Sequence, residues 1–214
     1  GDVSGISGTL ESGAVLRADQ GPWHVTGTLI VPAGVTLEIE PGTTLFFHPG
    51  TSLFVHGRLI AEGSPYRRIT LTKVPGSLGW AGMQFLDAQQ ESRLACVNME
   101  YCDAGDCAIL ADNARVSMDH IIWGNHDGQY LNFENSSIVL KNSVLPDLAG
   151  TEMVHCWGFP MDGEALFEGN WFGTTSGYND IIDFTGGQRP GPIARFVNNT
   201  FTGSSDDCID LDGA

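Results

Sequence analysis

From Gly27 to Gly57 the chain repeats itself every eight residues. The segments GTLIVPAG, VTLEIEPG, TTLFFHPG and TSLFVHG each hold a small or β-branched residue, a Leu, further strand-formers and a Gly-containing turn. Leu29, Leu37, Leu45 and Leu53 keep one phase, and Gly34, Gly42 and Gly50 keep another. The alternation Leu37-Glu38-Ile39-Glu40 is the period-two pattern of a strand with one face buried. Pro-Gly at 41–42 and 49–50 stops each strand and supplies a residue able to take positive φ at a sharp corner. Strands this short cannot bury their apolar sides singly. They can if the chain winds as a coil with three flat sides, about 24 residues per turn, which sets Leu29 one turn, about 4.8 Å, from Leu53. The spacing therefore predicts an all-β fold: a right-handed parallel β-helix, a three-sided solenoid of about 21–29 residues per coil.

Such a solenoid is one continuous unit, so residues 1–214 are expected to form a single domain. Residues 1–26 carry two weaker strand signals, Gly8–Glu11 and Ala14–Arg17, and are expected to make an N-terminal capping coil. The last residues, Asp210 to Ala214, fall within a repeat, and the solenoid is expected to be truncated there. No run of 18 or more apolar residues occurs, so no membrane insertion is expected. A formal charge of −16 with two Lys, Lys73 and Lys141, argues against nucleic acid and anionic membrane surfaces.

Five cysteines stand at 96, 102, 107, 156 and 208 without metal-type CxxC pairs. Cys102 and Cys107 flank a short turn and could bridge, but buried thiols acting as small hydrophobes are the preferred reading. Asn135-Ser136-Ser137 and Asn198-Asn199-Thr200 are glycosylation sequons. His24, His48, His56, His120, His126 and His155 are scattered; His48 and His56 alone are expected to share a side, and no zinc-type spacing occurs.

Beyond Leu94 the repeat lengthens, with units beginning near Leu94, Val116, Ile138, Leu166 and Ile193. Each is expected to close with an acid three places before its last strand: Asp106, Asp127, Glu152, Asp180, Asp207. Asn142, Asn170 and Asn199, with His120 one coil earlier, are expected to stack at an inner corner and satisfy turn groups. In each last strand one apolar residue should point inward: Ile109 or Leu110, Leu131, Cys156, Phe184, Leu211. The expected outward stripe is Ile109 and Ala111, Tyr130 and Asn132, His155 and Trp157, Asp183 and Thr185, Asp210 and Asp212. It passes from apolar to aromatic to acidic, so Tyr130, Asn132, His155 and Trp157, with Arg189 from the loop nearby, are candidate glycan-binding residues.

At the acidic end, Asp180 and Asp207 are expected side by side, as are Asp183 and Asp210. Like charges opposed on neighbouring strands are destabilising unless a cation, a raised pKa or an Arg offsets them. Asp183, Asp210 and Asp212 would offer calcium an all-oxygen site; no cofactor is otherwise required.

Two resemblances arise from these residues. Ser205-Asp206-Asp207-Cys208-Ile209 resembles the Gly-Asp-Asp-Cys-Ile segment of polygalacturonases, inverting β-helix glycosidases. It implies Asp180, Asp206 and Asp207 as catalytic acids and bases, although Asn179-Asp180 only approximates that family's Asn-x-Asp. The family's His-Gly and Arg-x-Lys segments would lie downstream of Ala214. More broadly, Val31–Gly63, Asn179–Pro192 and Asp206–Gly213 are similar to β-helix modules of large secreted or surface bacterial proteins, which imply a secreted or cell-surface location and no settled enzymatic activity. Two functional readings follow. One is a non-catalytic extracellular module that spaces or displays neighbouring domains of a longer chain and binds glycan or calcium. The other is a polysaccharide-degrading enzyme, inverting glycosidase- or lyase-like, that uses the clustered Asp.

Overall fold

The structure, a computed structural model, describes residues 5–186 and 192–211. Arg189 and Asp212, two of the candidate site residues, lie outside the described residues. The described residues form a parallel β-solenoid of about eight coils, and the one helical element among them is a 3-10 turn, Ala18–Gln20. Among the described residues no helix is long and apolar enough to cross a membrane.

Three ladders of parallel strands run along the solenoid. The first joins Ala14–Leu16, Thr36–Ile39, Arg58–Glu62, Ser92–Ala95, Arg115–Asp119, Ser137–Lys141, Ala165–Glu168 and Arg195–Val197. The second and third share the long strand Trp23–Val31. Its first half pairs with Thr44–Phe47 and starts the second ladder; its second half pairs with Leu53–Val55 and starts the third. Leu29 pairs with Leu53, the one-coil neighbour expected from the octads. Leu29, Leu37, Leu45 and Leu53 are all buried, while Glu38 is exposed. Gly34, Gly42 and Gly50 turn the corners at φ +79°, +85° and +68°. Each such Leu contributes roughly 1.5–3 kcal/mol by leaving water.

The coil length varies more than the octads suggest. The third ladder steps 24 residues from Leu29 to Leu53, 30 from Leu53 to Met83 and 22 from Ile109 to Leu131. Variable loops absorb the difference, and the core keeps the phase. Large side chains stack coil on coil inside: Phe47 on Trp80 at 3.8 Å, Phe172 on Phe201 at 4.9 Å, Phe167 on Phe196 at 5.3 Å. The described cysteines form no disulfide; Cys96, Cys102 and Cys156 are buried thiols as expected, but Cys208 is exposed.

Between the first and second ladders the expected Asn column divides in two. His120 and Asn142 occupy a left-handed corner shared with Cys96, Gly169 and Asn198, at φ between +48° and +67°. Asn170 and Asn199 belong one position later, level with Ser143. Asn170 Oδ1 accepts the Ser143 N–H, and its Nδ2 donates to Leu140 O and Asn199 Oδ1. Asn199 in turn donates to Phe167 O. These bonds satisfy corner groups that would otherwise be buried unpaired. A similar left-handed corner, Asp87, Asn113 and Asn135, follows the third ladder. Asn tolerates this conformation, which accounts for Asn135 and Asn198 as corner residues whatever their sequons signify.

Candidate functional site

The third ladder carries the candidate residues, and a repeated bulge aims them. Tyr130 N and Leu131 N both donate to Met153 O; one coil on, Met153 N and Val154 N both donate to Ile181 O. One carbonyl serving two successive amides is the mark of a β-bulge, which turns an extra residue to one face. Tyr130, Leu131, Met153, Val154, Ile181 and Ile182 all point into the core, no more than 1% exposed. The polar residues on either side of each apolar pair consequently face outward together. The motif is polar, apolar, apolar, polar: Gln129 with Asn132, Glu152 with His155, Asp180 with Asp183, Asp207 with Asp210.

This register corrects several expectations. Ile109 and Ala111 are inward and fully buried; Leu110 is the outward residue, paired with Asn132. Both Ile109 and Leu110 are apolar, so alternation gave no clue to the side each takes. Tyr130 is buried, and its hydroxyl donates to Pro146 O at 3.1 Å; burial pushes the phenol pKa up, and the side chain is withdrawn from any outer surface. Asp106 and Asp127 drop out of the acidic column: Cys107 pairs with Gln129, and Gln129 Nε2 donates to Glu152 Oε1 at 2.7 Å. Leu211 is 55% exposed, because no described strand stacks on its outer side.

Other placements agree with expectation. His155 lies between Asn132 and Asp183 on the ladder, Asp183 pairs with Asp210, and Asp207 N donates to Asp180 Oδ1 at 2.9 Å. Trp157 is half exposed and stacks on His155 with ring centroids 4.3 Å apart. A cavity of about 290 Å³ opens beside them, lined among others by Gln84, Cys107, Leu110, Gln129 and Asn132. Cavity, tryptophan and acids thus follow one another along a single face.

The centre of the face is a network about His155, itself 8% exposed. Its Nδ1 lies 2.8 Å from Glu152 Oε1 and 3.5 Å from Asp183 Oδ2. Its Nε2 lies 2.9 Å from Thr185 Oγ1, which is 3.3 Å from Asp183 Oδ1. Burial raises the Glu152 carboxyl, but hydrogen bonds from His155, its own backbone and Thr151 hold it below the usual carboxylate range. Asp183 is pushed up, first by burial and then by Asp210 and Glu152, against the pull of His155 and Thr185. Asp180 is raised by burial and by Asp210, Asp206 and Asp183, despite the Asp207 amide.

Among the described residues two groups each bring three ligand atoms within 4.8 Å of one another: Glu152, His155 and Asp183 form one, and Asp180, Asp206 and Asp207 the other. The second unites the three acids expected from the local motif. Glu152 and Thr185 were not among the expected site residues, although the repeated polar-x-x-polar pattern marks Glu152. A further pair escaped the sequence reading. His24 Nδ1 lies 3.4 Å from His48 Nε2, and His24, which follows Trp23 on the shared strand, packs against Phe46. The one-coil separation of 24 residues is the signal that would have found it. His56 instead bonds Leu86 O. No family model, no curated protein and no solved structure matches the chain.

Proposed function

We propose that this β-helix is a rigid, non-catalytic scaffold of a secreted or surface protein, spacing neighbouring domains, and that its third-ladder face binds a glycan. The observation that carries the reading is Trp157, half exposed beside a continuous row of hydrogen-bonding side chains, Asn132, His155, Asp183 and Thr185, next to a cavity. A flat ring takes the apolar face of a sugar, and the neighbouring amide, hydroxyl and carboxylates take its hydroxyls. The ladder holds these groups at fixed intervals, so little ordering cost accompanies binding. The net charge of −16 favours a neutral glycan over an acidic one.

Affinity electrophoresis through gels containing neutral or acidic polysaccharides tests the reading. Retardation by a neutral polysaccharide is expected. Trp157→Ala should weaken it at least about tenfold, about 1.4 kcal/mol, and Tyr66→Ala, on an exposed loop elsewhere, should not. Equal migration of wild type and Trp157→Ala in every gel would sink the proposal.

The second reading, a polysaccharide-cleaving enzyme, draws support from the raised carboxyl of Asp180 among Asp183, Asp206 and Asp207. Neighbouring carboxyls whose environments push one pKa upward are the arrangement that glycoside hydrolysis uses. Release of reducing ends from a retained polysaccharide, lost in Asp180→Asn, would favour this reading over the first.

A further inference from the structure

We propose that Glu152, His155 and Asp183 form a divalent transition-metal site of the zinc class, independent of any glycan. Three features of the site argue for it. The first is the donor set. One imidazole nitrogen with two carboxylate oxygens suits zinc, whereas calcium and magnesium take oxygen alone. The second is spacing. A tetrahedral zinc with bonds of about 2.0–2.1 Å needs its ligand atoms about 3.3 Å apart. His155 Nδ1 stands 3.5 Å from Asp183 Oδ2 and 2.8 Å from Glu152 Oε1, and the ligand atoms of all three lie within 4.8 Å of one another, so shifts of about 0.5 Å on the His155–Glu152 side and no more than about 1.5 Å between the carboxylates reach that spacing. With the metal on Nδ1, the single proton of the neutral ring sits on Nε2.

The third feature is the outer support. Metal-bound histidines donate their remaining ring N–H to an acceptor that fixes tautomer and orientation. Here Nε2–H can donate to Thr185 Oγ1, and the Thr185 hydroxyl can donate onward to Asp183 Oδ1. Gln129 Nε2 holds Glu152 Oε1, and Thr151 Oγ1 donates to Oε2. Trp157 covers the ring face. All three candidate ligands therefore have their orientation set by neighbours. They come from two successive coils, and the bulges at 152–154 and 180–182 turn them to the same side. Three protein ligands leave a fourth position for water or an exogenous donor, the pattern of open rather than structural zinc sites.

The test is titration of chelator-treated full chain with Zn²⁺ by calorimetry, and with Co²⁺ by visible absorption, which reports coordination geometry. One equivalent should bind with a four- or five-coordinate cobalt spectrum. Glu152→Gln and Asp183→Asn should each weaken binding at least about tenfold, since conservative removal of a ligand costs at least as much as loss of an outer-shell partner. Thr185→Val should weaken it less. The double variant His24→Ala/His48→Ala should bind as the wild type does. Circular dichroism and thermal melting of each variant separate loss of a ligand from loss of fold, and Zn²⁺ should raise the melting temperature of the wild type but not of a folded Asp183→Asn. Three outcomes overturn the proposal: no stoichiometric binding, binding abolished only by the His24/His48 variant, or equal competition by Ca²⁺, which would place the ion on the all-oxygen group Asp180, Asp206 and Asp207.

Discussion

At the scale of single residues, two buried polar atoms stand out. Trp123 Nε1 and His126 Nδ1 have no hydrogen-bond partner among the described residues. His126 Nε2 donates to Gln129 O at 2.8 Å, so the neutral ring is the form that fits. Burial holds His126 below the usual histidine value, although Gln129 O, Asp103 and Asp127 pull the other way. His24 is lowered too, by burial and by His48. A histidine whose pKa is depressed in the folded state binds its proton more readily when unfolded. Stability is therefore present above the ordinary value of 6.5 and falls as pH drops through it toward the folded value. Urea midpoints measured between pH 7.5 and 5 should decline on the acid side. His126→Gln should flatten that decline; an unchanged slope would show that His126 protonates without cost.

At the scale of the element, strand and corner each do one task. The strand Thr36–Ile39 alternates half-buried, buried, exposed, buried, with Leu37 and Ile39 in the core and Glu38 in solvent. Leu37→Ala should cost about 2–5 kcal/mol by opening a cavity in a core one residue wide on each side. Glu38→Ala should stay within about 0.5 kcal/mol. Denaturant unfolding at constant m checks both, and comparable losses at the two positions would contradict the alternation. The corner at Asn170 shows the other requirement. Its side chain accepts from the Ser143 amide and donates to the Leu140 carbonyl, tying the corner to the strand beside it. Gly57 is confined differently: a Cβ there would overlap the carbonyl oxygens of Pro32 and Val35, so the chain passes too close for any side chain.

At the scale of the whole molecule, each coil touches only the coils before and after it, and stability accrues from neighbour to neighbour. Local opening should then follow local packing. Gly5–Thr9 pairs only with Trp23–Val31 and is exposed over most of its length. Thr44–Phe47 has a partner on each side and two fully buried residues, Leu45 and Phe47. Hydrogen exchange read by mass spectrometry should find amides of Gly5–Thr9 exchanging at least about a hundredfold faster than those of Thr44–Phe47, as an opening free energy lower by about 2.7 kcal/mol implies. Uniform protection across both would mean that the solenoid opens as one unit instead of coil by coil.

Whatever repeats locally could be read from the residues alone. Period-two alternation, an eight-residue step and Gly or Pro-Gly corners are properties of neighbouring residues, and they suffice for a three-sided parallel solenoid with Leu29 against Leu53. The same local repetition, Asn179-Asp180-Ile181-Ile182-Asp183 against Asp206-Asp207-Cys208-Ile209-Asp210, placed Asp183 beside Asp210. Which residue of one coil lies over which residue of another is not local where the loops differ in length. The step from Ile109 to Leu131 is 22 residues and that from Val154 to Ile182 is 28, so counting alone slipped by one residue at Asn142 and by two at Asp127. Only the folded chain settled that phase, because the inward side chains must stack and each corner amide must find a carbonyl. The same demand made Met153 O and Ile181 O each accept from two amides. Those shared bonds turned Tyr130 into the core and brought Glu152, His155 and Asp183 together outside it.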